Sequence, residues 1–146
     1  MALHPKSILL VTLQFLLIGL LLAGASFQKT SLIAAIFIAL AMLLVTWAVV
    51  AMQKSKLSIL PEPSTHAVLI TNGPYRFIRH PMYAAILIGC AGLLINHFTW
   101  IGFSISVALA MVLIFKLGWE EKMLTEKFGE YAAYRKHTSR LIPFVY

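Results

Sequence analysis

The segment Asn72-Gly-Pro-Tyr-Arg-Phe-Ile-Arg-His-Pro-Met-Tyr83 interrupts a sequence that is otherwise dominated by apolar runs. Its Gly73-Pro74 pair predicts a turn, since proline disfavours helical backbone in the residue before it. Pro81 fits the first turn of a helix, where a missing N–H is tolerated, so a helix is predicted to start near His80. Arg79 and His80 then lie at a helix N-terminus, which attracts anionic groups. The alternative is a basic turn beside the membrane that reaches toward lipid phosphates.

The composition is that of a membrane protein. Of the 146 residues, 60% are hydrophobic and only 12% charged, against about a quarter charged in soluble domains. The net charge of +7 comes from short basic segments between apolar runs, a pattern that favours anionic lipid head groups over nucleic acid as partners. Cys90 is the single cysteine, so neither an intrachain disulfide nor a cysteine-based metal site is expected. We predict one membrane domain over residues 1–146.

Four apolar runs predict an all-α integral membrane protein with four transmembrane helices. The third run is short for a hydrocarbon core of about 30 Å. The first two runs are joined by few residues and are predicted to be antiparallel neighbours, and the polar Gln14 inside the first is predicted to hydrogen-bond another helix. The predicted spans are about 7–27, 31–52, 82–96 and 98–118, with a loop at 53–81 and a C-terminal tail at 119–146.

The distribution of lysine and arginine predicts the orientation. With four spans, the N-terminus, the 53–81 loop and the tail share one side, and that side carries most of the basic residues. The positive-inside rule makes it the cytoplasmic side. The Arg79-His80 motif and the polar residues of the tail therefore face the same compartment and are able to meet.

Glu121 is the unusual residue of the segment 116–128, into which the fourth apolar run continues without a clear stop. It shares one helical face with Leu117, Leu124 and Phe128, at spacings of four, three and four. An unpaired carboxylate in an apolar stripe is costly, so we predict that Glu121 has a bound partner. The alternative is a solvated helix face. The aromatic and basic residues that follow, between 131 and 140, are also compatible with an amphipathic segment on anionic lipid.

Two separated motifs resemble one family. The 72–83 segment is similar to the Gly-Pro-Tyr…Arg-His-Pro-x-Tyr signature of the isoprenylcysteine carboxyl methyltransferases and their bacterial relatives. Glu120-Glu121-x-x-Leu124, Phe128-Gly-Glu-Tyr131-x-x-Tyr134 and Leu141-Ile-Pro-Phe144 resemble the C-terminal signature of that family, in the same order. The resemblance covers roughly residues 69–144. Phospholipid N-methyltransferases and sterol reductases share parts of the pattern.

The resemblance implies an integral membrane enzyme that binds S-adenosylmethionine from the cytoplasmic side, here of a bacterial or archaeal inner membrane. The chemistry of the residues, rather than the resemblance, makes Arg79, His80 and Glu121 the predicted catalytic residues, and no metal is expected. The residues that the resemblance assigns to the cofactor lie in the loop, at the start of the third helix and in the fourth helix: Leu69, Gly73, Tyr75, His80, Pro81, Tyr83, Glu120 and Glu121.

The predicted function is methyl transfer from S-adenosylmethionine to a lipidic acceptor, with the carboxylate of a prenylcysteine-like substrate most similar to the family. A carboxylate needs no general base and would be held by a cationic side chain such as Arg79 or Arg76. An amine or thiol would need help from His80 or Glu121 to lose its proton. Three alternatives remain open: a phospholipid or amine N-methyltransferase, a sterol-reductase-like enzyme using a nicotinamide cofactor, and a non-enzymatic subunit that binds membrane lipids.

Overall fold

The computed structural model describes residues 5–26, 28–53 and 68–143. Within these ranges the chain is helical and contains no β-strand. Residues 54–67 of the predicted loop, Phe27 of the first predicted span and Phe144 of the last motif lie outside the described residues. The helices are α1 (Pro5–Ala23), α2 (Leu32–Met52), α3 (Pro81–Asn96), α4 (Trp100–Lys127) and α5 (Tyr131–Lys136), with a 3-10 turn at Gly73–Arg76 before α3.

In the part of the chain that the structure describes, three helices are long and apolar enough to cross a membrane: α1, α2 and α4. Many of their large apolar side chains are exposed, as expected of surfaces that face lipid, and Leu43 and Phe115 are examples. The third predicted span is confirmed as an apolar helix, but its 16 residues reach only about 24 Å. The helix ends also differ from prediction, since α1 stops at Ala23 before Gly24 and α4 continues to Lys127.

The helices pack in two pairs, α2 against α3 and α1 against α4. The prediction that α1 and α2 are packed neighbours is wrong, because these two helices share few contacts. The reason lies in the side chains of α2: every seventh residue is a buried alanine, Ala34, Ala41 and Ala48. Gly89 and Gly92 of α3 face this stripe. Small residues on both helices allow the backbones to approach closely, which favours this pair over α1 and α2.

Gly92 is expected to be the most sensitive point of the α2–α3 interface. A Cβ atom there would lie 3.0 Å from the Cβ of Phe37 and 3.3 Å from the carbonyl oxygen of Ala34. Gly92→Ala should therefore destabilise the protein by about 1–3 kcal/mol through overpacking. Gly19→Ala is the matched control, since nothing lies within 4 Å of a Cβ on that residue. Thermal unfolding in detergent measures both variants, and equal melting temperatures would contradict the close packing.

The C-terminal tail folds back onto the segment that precedes α3. Ile78 forms an isolated parallel bridge with Ser139. The backbone N–H of Arg79 donates to the Ser139 oxygen at 2.8 Å, and that of His80 donates to the Arg140 oxygen at 3.0 Å. His80 is the N-cap of α3 with Pro81 in the first turn, which confirms the predicted helix start. This backbone ladder brings the start of α3, the end of α4 and the tail to one place.

Candidate functional site

A buried ion pair joins the two sequence motifs. The Nε of Arg79 donates to the Oε1 of Glu121 at 2.7 Å, across 42 residues of sequence. The side chains are only 7% and 5% exposed, respectively. Glu121 therefore has the partner predicted for a carboxylate in an apolar stripe, and the motifs meet as the charge distribution predicted.

Arg79 also binds the tail. Its Nη1 donates to the backbone oxygen of Thr138 and, at 3.3 Å, to that of Arg135. The Thr138 hydroxyl lies at 3.3 Å from the same nitrogen. The guanidinium thus bridges α4 and the tail, and its planar fork is held in one orientation by acceptors on two sides.

Further cations surround the carboxylate of Glu121. Its Oε2 lies 3.3 Å from the Nε of Arg140 and 4.0 Å from the Nη2 of Arg135. The Nε2 of His80 lies 3.6 Å from the other oxygen, Oε1. Three arginines and a histidine therefore converge on one buried carboxylate, which makes Glu121 the centre of the cluster.

The neighbouring carboxylate, Glu120, is more accessible, with a side chain that is 25% exposed. It accepts a hydrogen bond from the Tyr83 hydroxyl at 2.7 Å and lies 3.7 Å from the Nδ1 of His80. The ring of His80 stacks on that of Tyr83 with centroids 5.3 Å apart and planes 11° apart. His80 therefore lies between the two glutamates. Its Nε2 is buried without a hydrogen-bond partner among the described residues.

Tyrosines from the loop and the tail close the cluster on one side. The Tyr134 hydroxyl donates to the backbone oxygen of Tyr75 at 2.6 Å, and Tyr131 is buried with its ring beside that of Tyr134. Burial raises the pKa of Tyr134 to about 12. Burial, and then the nearby Glu120, also raises the pKa of Tyr75 above its ordinary value. These phenols stay neutral near neutral pH, so they offer aromatic faces and hydroxyl donors rather than bases.

The predicted site residues divide into two groups. The structure brings Arg79, His80, Tyr83, Glu120 and Glu121 together, as the preceding contacts show. Two others adjoin this cluster, since Pro81 is buried in the first turn of α3 and Tyr75 is buried in the 3-10 turn. Leu69 is half-buried before that turn.

Gly73 has a different environment. It packs against α2, where a Cβ would lie 3.0 Å from that of Ala51 and 3.3 Å from the Trp47 Nε1. Its φ of +58° is the left-handed conformation that favours glycine. Gly73 therefore shapes the turn and lets it approach α2.

Sequence reasoning missed the contribution of the tail. It interpreted the tail's aromatic and basic residues as an amphipathic surface on lipid or as part of a motif, and it assigned none of them to the site. The signal that could have identified them is an excess of cations placed after the Gly129 helix break, on the same side of the membrane as a buried glutamate. The residues concerned are Tyr131, Tyr134, Arg135, Thr138 and Arg140.

A second buried polar contact connects α1 to the site. The Nζ of Lys116, on a residue only 3% exposed, donates to the Oε1 of Gln14 at 2.9 Å. This confirms that Gln14 hydrogen-bonds another helix. The same Nζ lies 5.2 Å from the ring centroid of Tyr83, within the range of a cation–π contact. Lys116 therefore links the α1–α4 pair to the tyrosine that holds Glu120.

We expect Gln14→Leu to destabilise the protein by about 1–3 kcal/mol, because it removes an acceptor from a buried ammonium group. The double variant Gln14→Leu with Lys116→Met removes both partners and should recover most of that loss, since replacing a buried polar pair by apolar groups is often close to neutral. Thermal unfolding in detergent compares the two. A double variant that is less stable than Gln14→Leu would show that Lys116 stabilises the protein mainly through other contacts.

Comparison with known proteins gives one family and two relatives. The phospholipid methyltransferase family profile matches residues 29–131, more than half of the chain. The nickel-cobalt-cadmium resistance protein NccN of Alcaligenes xylosoxydans xylosoxydans is 31% identical over 146 aligned residues, covering 96% of this chain and 65% of that protein. The cobalt-zinc-cadmium resistance protein CzcN of Cupriavidus metallidurans is 30% identical over 76 residues, covering 51% of this chain and 35% of that protein. The chain thus spans less than two thirds of each relative's length.

Proposed function

Because the chain belongs to the phospholipid methyltransferase family, within the isoprenylcysteine carboxyl methyltransferase-like group, we propose that it transfers a methyl group from S-adenosylmethionine to a lipidic acceptor. The observation that carries the proposal is the buried Arg79–Glu121 pair with His80 beside it. Arg79, His80 and Glu121 all lie within the matched residues 29–131, and the fold joins them into one charged cluster in an apolar protein.

The chemical groups of the cluster fit S-adenosylmethionine. When bound, this cofactor supplies a methyl group on a positively charged sulfur. Glu120, the more accessible carboxylate, is placed to accept from an ammonium or hydroxyl group. The Nε2 of His80 makes no hydrogen bond among the described residues and lies 3.6 Å from the Oε1 of Glu121, so it can bond to a polar ligand beside that carboxylate. The neutral ring of Tyr75 can attract the sulfonium by a cation–π contact, whereas the ring of Tyr83 already contacts His80 and Lys116.

The residues of this chain contribute mainly by positioning. Methyl transfer to a nucleophile requires alignment and exclusion of water more than proton movement. Arg79 was assigned to the acceptor on sequence grounds, but its Nε and Nη1 already donate to Glu121 and to Thr138. We therefore propose that Arg79 holds Glu121 in place and leaves contact with the acceptor to its neighbours.

Two acceptor chemistries follow from the family. Its description favours the amine of a phospholipid, which must lose a proton before it attacks. His80 lies between Glu120 and Glu121, at 3.7 and 3.6 Å, and is our proposed base for that step. The carboxylate of a prenylcysteine-like lipid, the second candidate, would need no base. Loss of activity in His80→Gln toward an amine but not toward a carboxylate acceptor would separate the two.

We further propose four spans with the cluster facing the cytoplasm of a bacterium. The lysine and arginine distribution supports this orientation, and the two relatives come from bacteria. Arg79 and its neighbours would complete α3 at the membrane boundary. The relatives are named for metal resistance, and the described residues contain no group of three or more histidine, cysteine or acidic side chains that could hold a metal ion.

Calorimetric titration of the purified protein with S-adenosylmethionine tests the proposal. We expect saturable binding and competition by S-adenosylhomocysteine, followed by transfer of labelled methyl groups into a bacterial lipid extract. Mass spectrometry of the labelled lipid then identifies the acceptor. A protein that binds reduced nicotinamide dinucleotide and neither methyl-cofactor species would instead support the reductase alternative.

A further inference from the structure

An open groove lies on the tail side of the charged cluster. Its volume is about 560 Å³, and its lining contains four cationic side chains and, among the described residues, no acidic one. Arg79 lines the groove and also donates a hydrogen bond to Glu121. The lining residues are Arg79, Ala132, Arg135, Lys136, Thr138, Ser139 and Arg140.

The groove is preformed and lies beside apolar surface. The backbone ladder between residues 77–80 and 139–140 holds the lining residues Arg79, Ser139 and Arg140 in place, and the Nη1 of Arg79 is hydrogen-bonded to the tail. Two exposed apolar side chains lie next to the ladder in the sequence, Phe77 at 47% and Ile142 at 55% exposure. A cationic groove in a segment that also exposes apolar side chains suits the interface of an anionic membrane, where a phosphate lies next to acyl chains.

We propose that this groove binds the phosphate of an anionic membrane lipid, and that the bound phosphate strengthens S-adenosylmethionine binding at the Glu121 cluster. The effect on S-adenosylmethionine binding rests on the proposed function, whereas the binding of the lipid phosphate does not. The lipid acts here as an effector and is not consumed.

The coupling follows from shared arginines. Arg135 and Arg140 line the groove and also face the Oε2 of Glu121, at 4.0 and 3.3 Å. A phosphate in the groove competes with Glu121 for these two side chains. Glu121 then keeps Arg79 as its partner and gains capacity to accept a hydrogen bond from the cofactor. The bound negative charge also attracts a ligand whose sulfonium and ammonium outweigh its carboxylate. The freed acceptor capacity of Glu121 and the attraction of the negative charge both favour cofactor binding, so the phosphate increases cofactor affinity.

Lys136 allows the groove to be tested separately from Glu121, because it lines the groove and is not among the side chains that face that carboxylate. Lys122, exposed on α4 and outside the groove lining, is the matched control for loss of one positive charge. Wild type, Lys136→Gln and Lys122→Gln are reconstituted in nanodiscs of phosphatidylcholine with or without phosphatidylglycerol. Calorimetry then measures S-adenosylmethionine affinity. We expect phosphatidylglycerol to raise the affinity of wild type and Lys122→Gln by about five-fold or more, and that of Lys136→Gln by distinctly less.

By thermodynamic linkage, S-adenosylmethionine must strengthen lipid binding as much as the lipid strengthens cofactor binding. Saturating S-adenosylmethionine should raise retention of phosphatidylglycerol, measured by native mass spectrometry, by the same factor. Inorganic phosphate added to phosphatidylcholine nanodiscs distinguishes a lipid phosphate from a soluble one. If it raises S-adenosylmethionine affinity less than phosphatidylglycerol does, the groove binds the phosphate of a lipid. If it raises the affinity equally, the same groove binds soluble phosphate. The coupling is overturned if phosphatidylglycerol lowers cofactor affinity, as it would if the cofactor carboxylate occupied the groove, or leaves it unchanged.

Phosphatidylglycerol retention also tests the groove without the cofactor. If the protein binds no S-adenosylmethionine, the proposed function fails, yet wild type should still retain this lipid better than Lys136→Gln does. Equal retention by the Lys136 and Lys122 variants would overturn the phosphate site itself, because a general surface charge effect would then explain the binding.

Discussion

Arg79→Ala is expected to destabilise the protein by about 3 kcal/mol and to abolish methyl transfer. The substitution leaves the buried Glu121 without its 2.7 Å partner and removes the donor to Thr138. Breaking a buried ion pair costs about 3–5 kcal/mol, and the lower end applies because Arg140 and His80 still face Glu121. The melting temperature in detergent should fall by roughly 6–12 °C.

Two further variants make the result specific to Arg79. Arg76→Ala removes an exposed arginine from the same segment and should leave both stability and activity close to wild type. Arg79→Lys keeps the charge but has no fork, so it should recover part of the stability and little of the activity. Equal effects of the Arg76 and Arg79 alanine variants would show that the segment needs only positive charge.

Glu121→Gln is expected to weaken S-adenosylmethionine binding by about ten- to a hundred-fold. Glutamine preserves the size of the side chain but removes the charge, and one charge-assisted hydrogen bond contributes roughly 1.5–3 kcal/mol. The cationic side chains around this position are then left without their common carboxylate, which should also disturb the attachment of the tail. Calorimetric titration measures the affinity.

Glu126→Gln is the control, since Glu126 is exposed on the same helix and should bind the cofactor as wild type does. A Glu121→Gln protein that binds S-adenosylmethionine normally yet transfers no methyl group would place Glu121 at the acceptor. Such a result would contradict its assignment to the cofactor and leave Glu120 as the remaining carboxylate for that role.

Local features of the fold could be predicted from sequence, and helix pairing could not. The start of α3 could be predicted from the position of Pro81, and α1, α2 and α4 could be predicted from uninterrupted apolar runs. The pairing of α1 with α4 depends on which faces carry small or polar residues. Ala34 of α2 and Gln14 of α1 mark those faces, but nothing in an isolated apolar run specifies the opposite helix.

The same limit applies to the site. Glu121 could be predicted because a carboxylate in an apolar stripe is costly and needs a partner. The contribution of Arg135 and Arg140 depends on the bridge between Ile78 and Ser139 and on the three backbone hydrogen bonds that accompany it, between residues 77–80 and 139–140. No periodic pattern accompanies so short a contact, so the sequence alone could not show that the tail returns to the start of α3.

The bridge between Ile78 and Ser139 also determines when, during translation, the charged cluster can form. Its first partner, Ile78, is made 61 residues before its second, Ser139. α4 is made during this interval, before the tail can supply the backbone acceptors of Arg79 and the arginine partners of Glu121. The charged cluster is therefore completed after translation of residue 140, and a nascent chain stalled just after α4 holds Arg79 and Glu121 without the tail that completes the site.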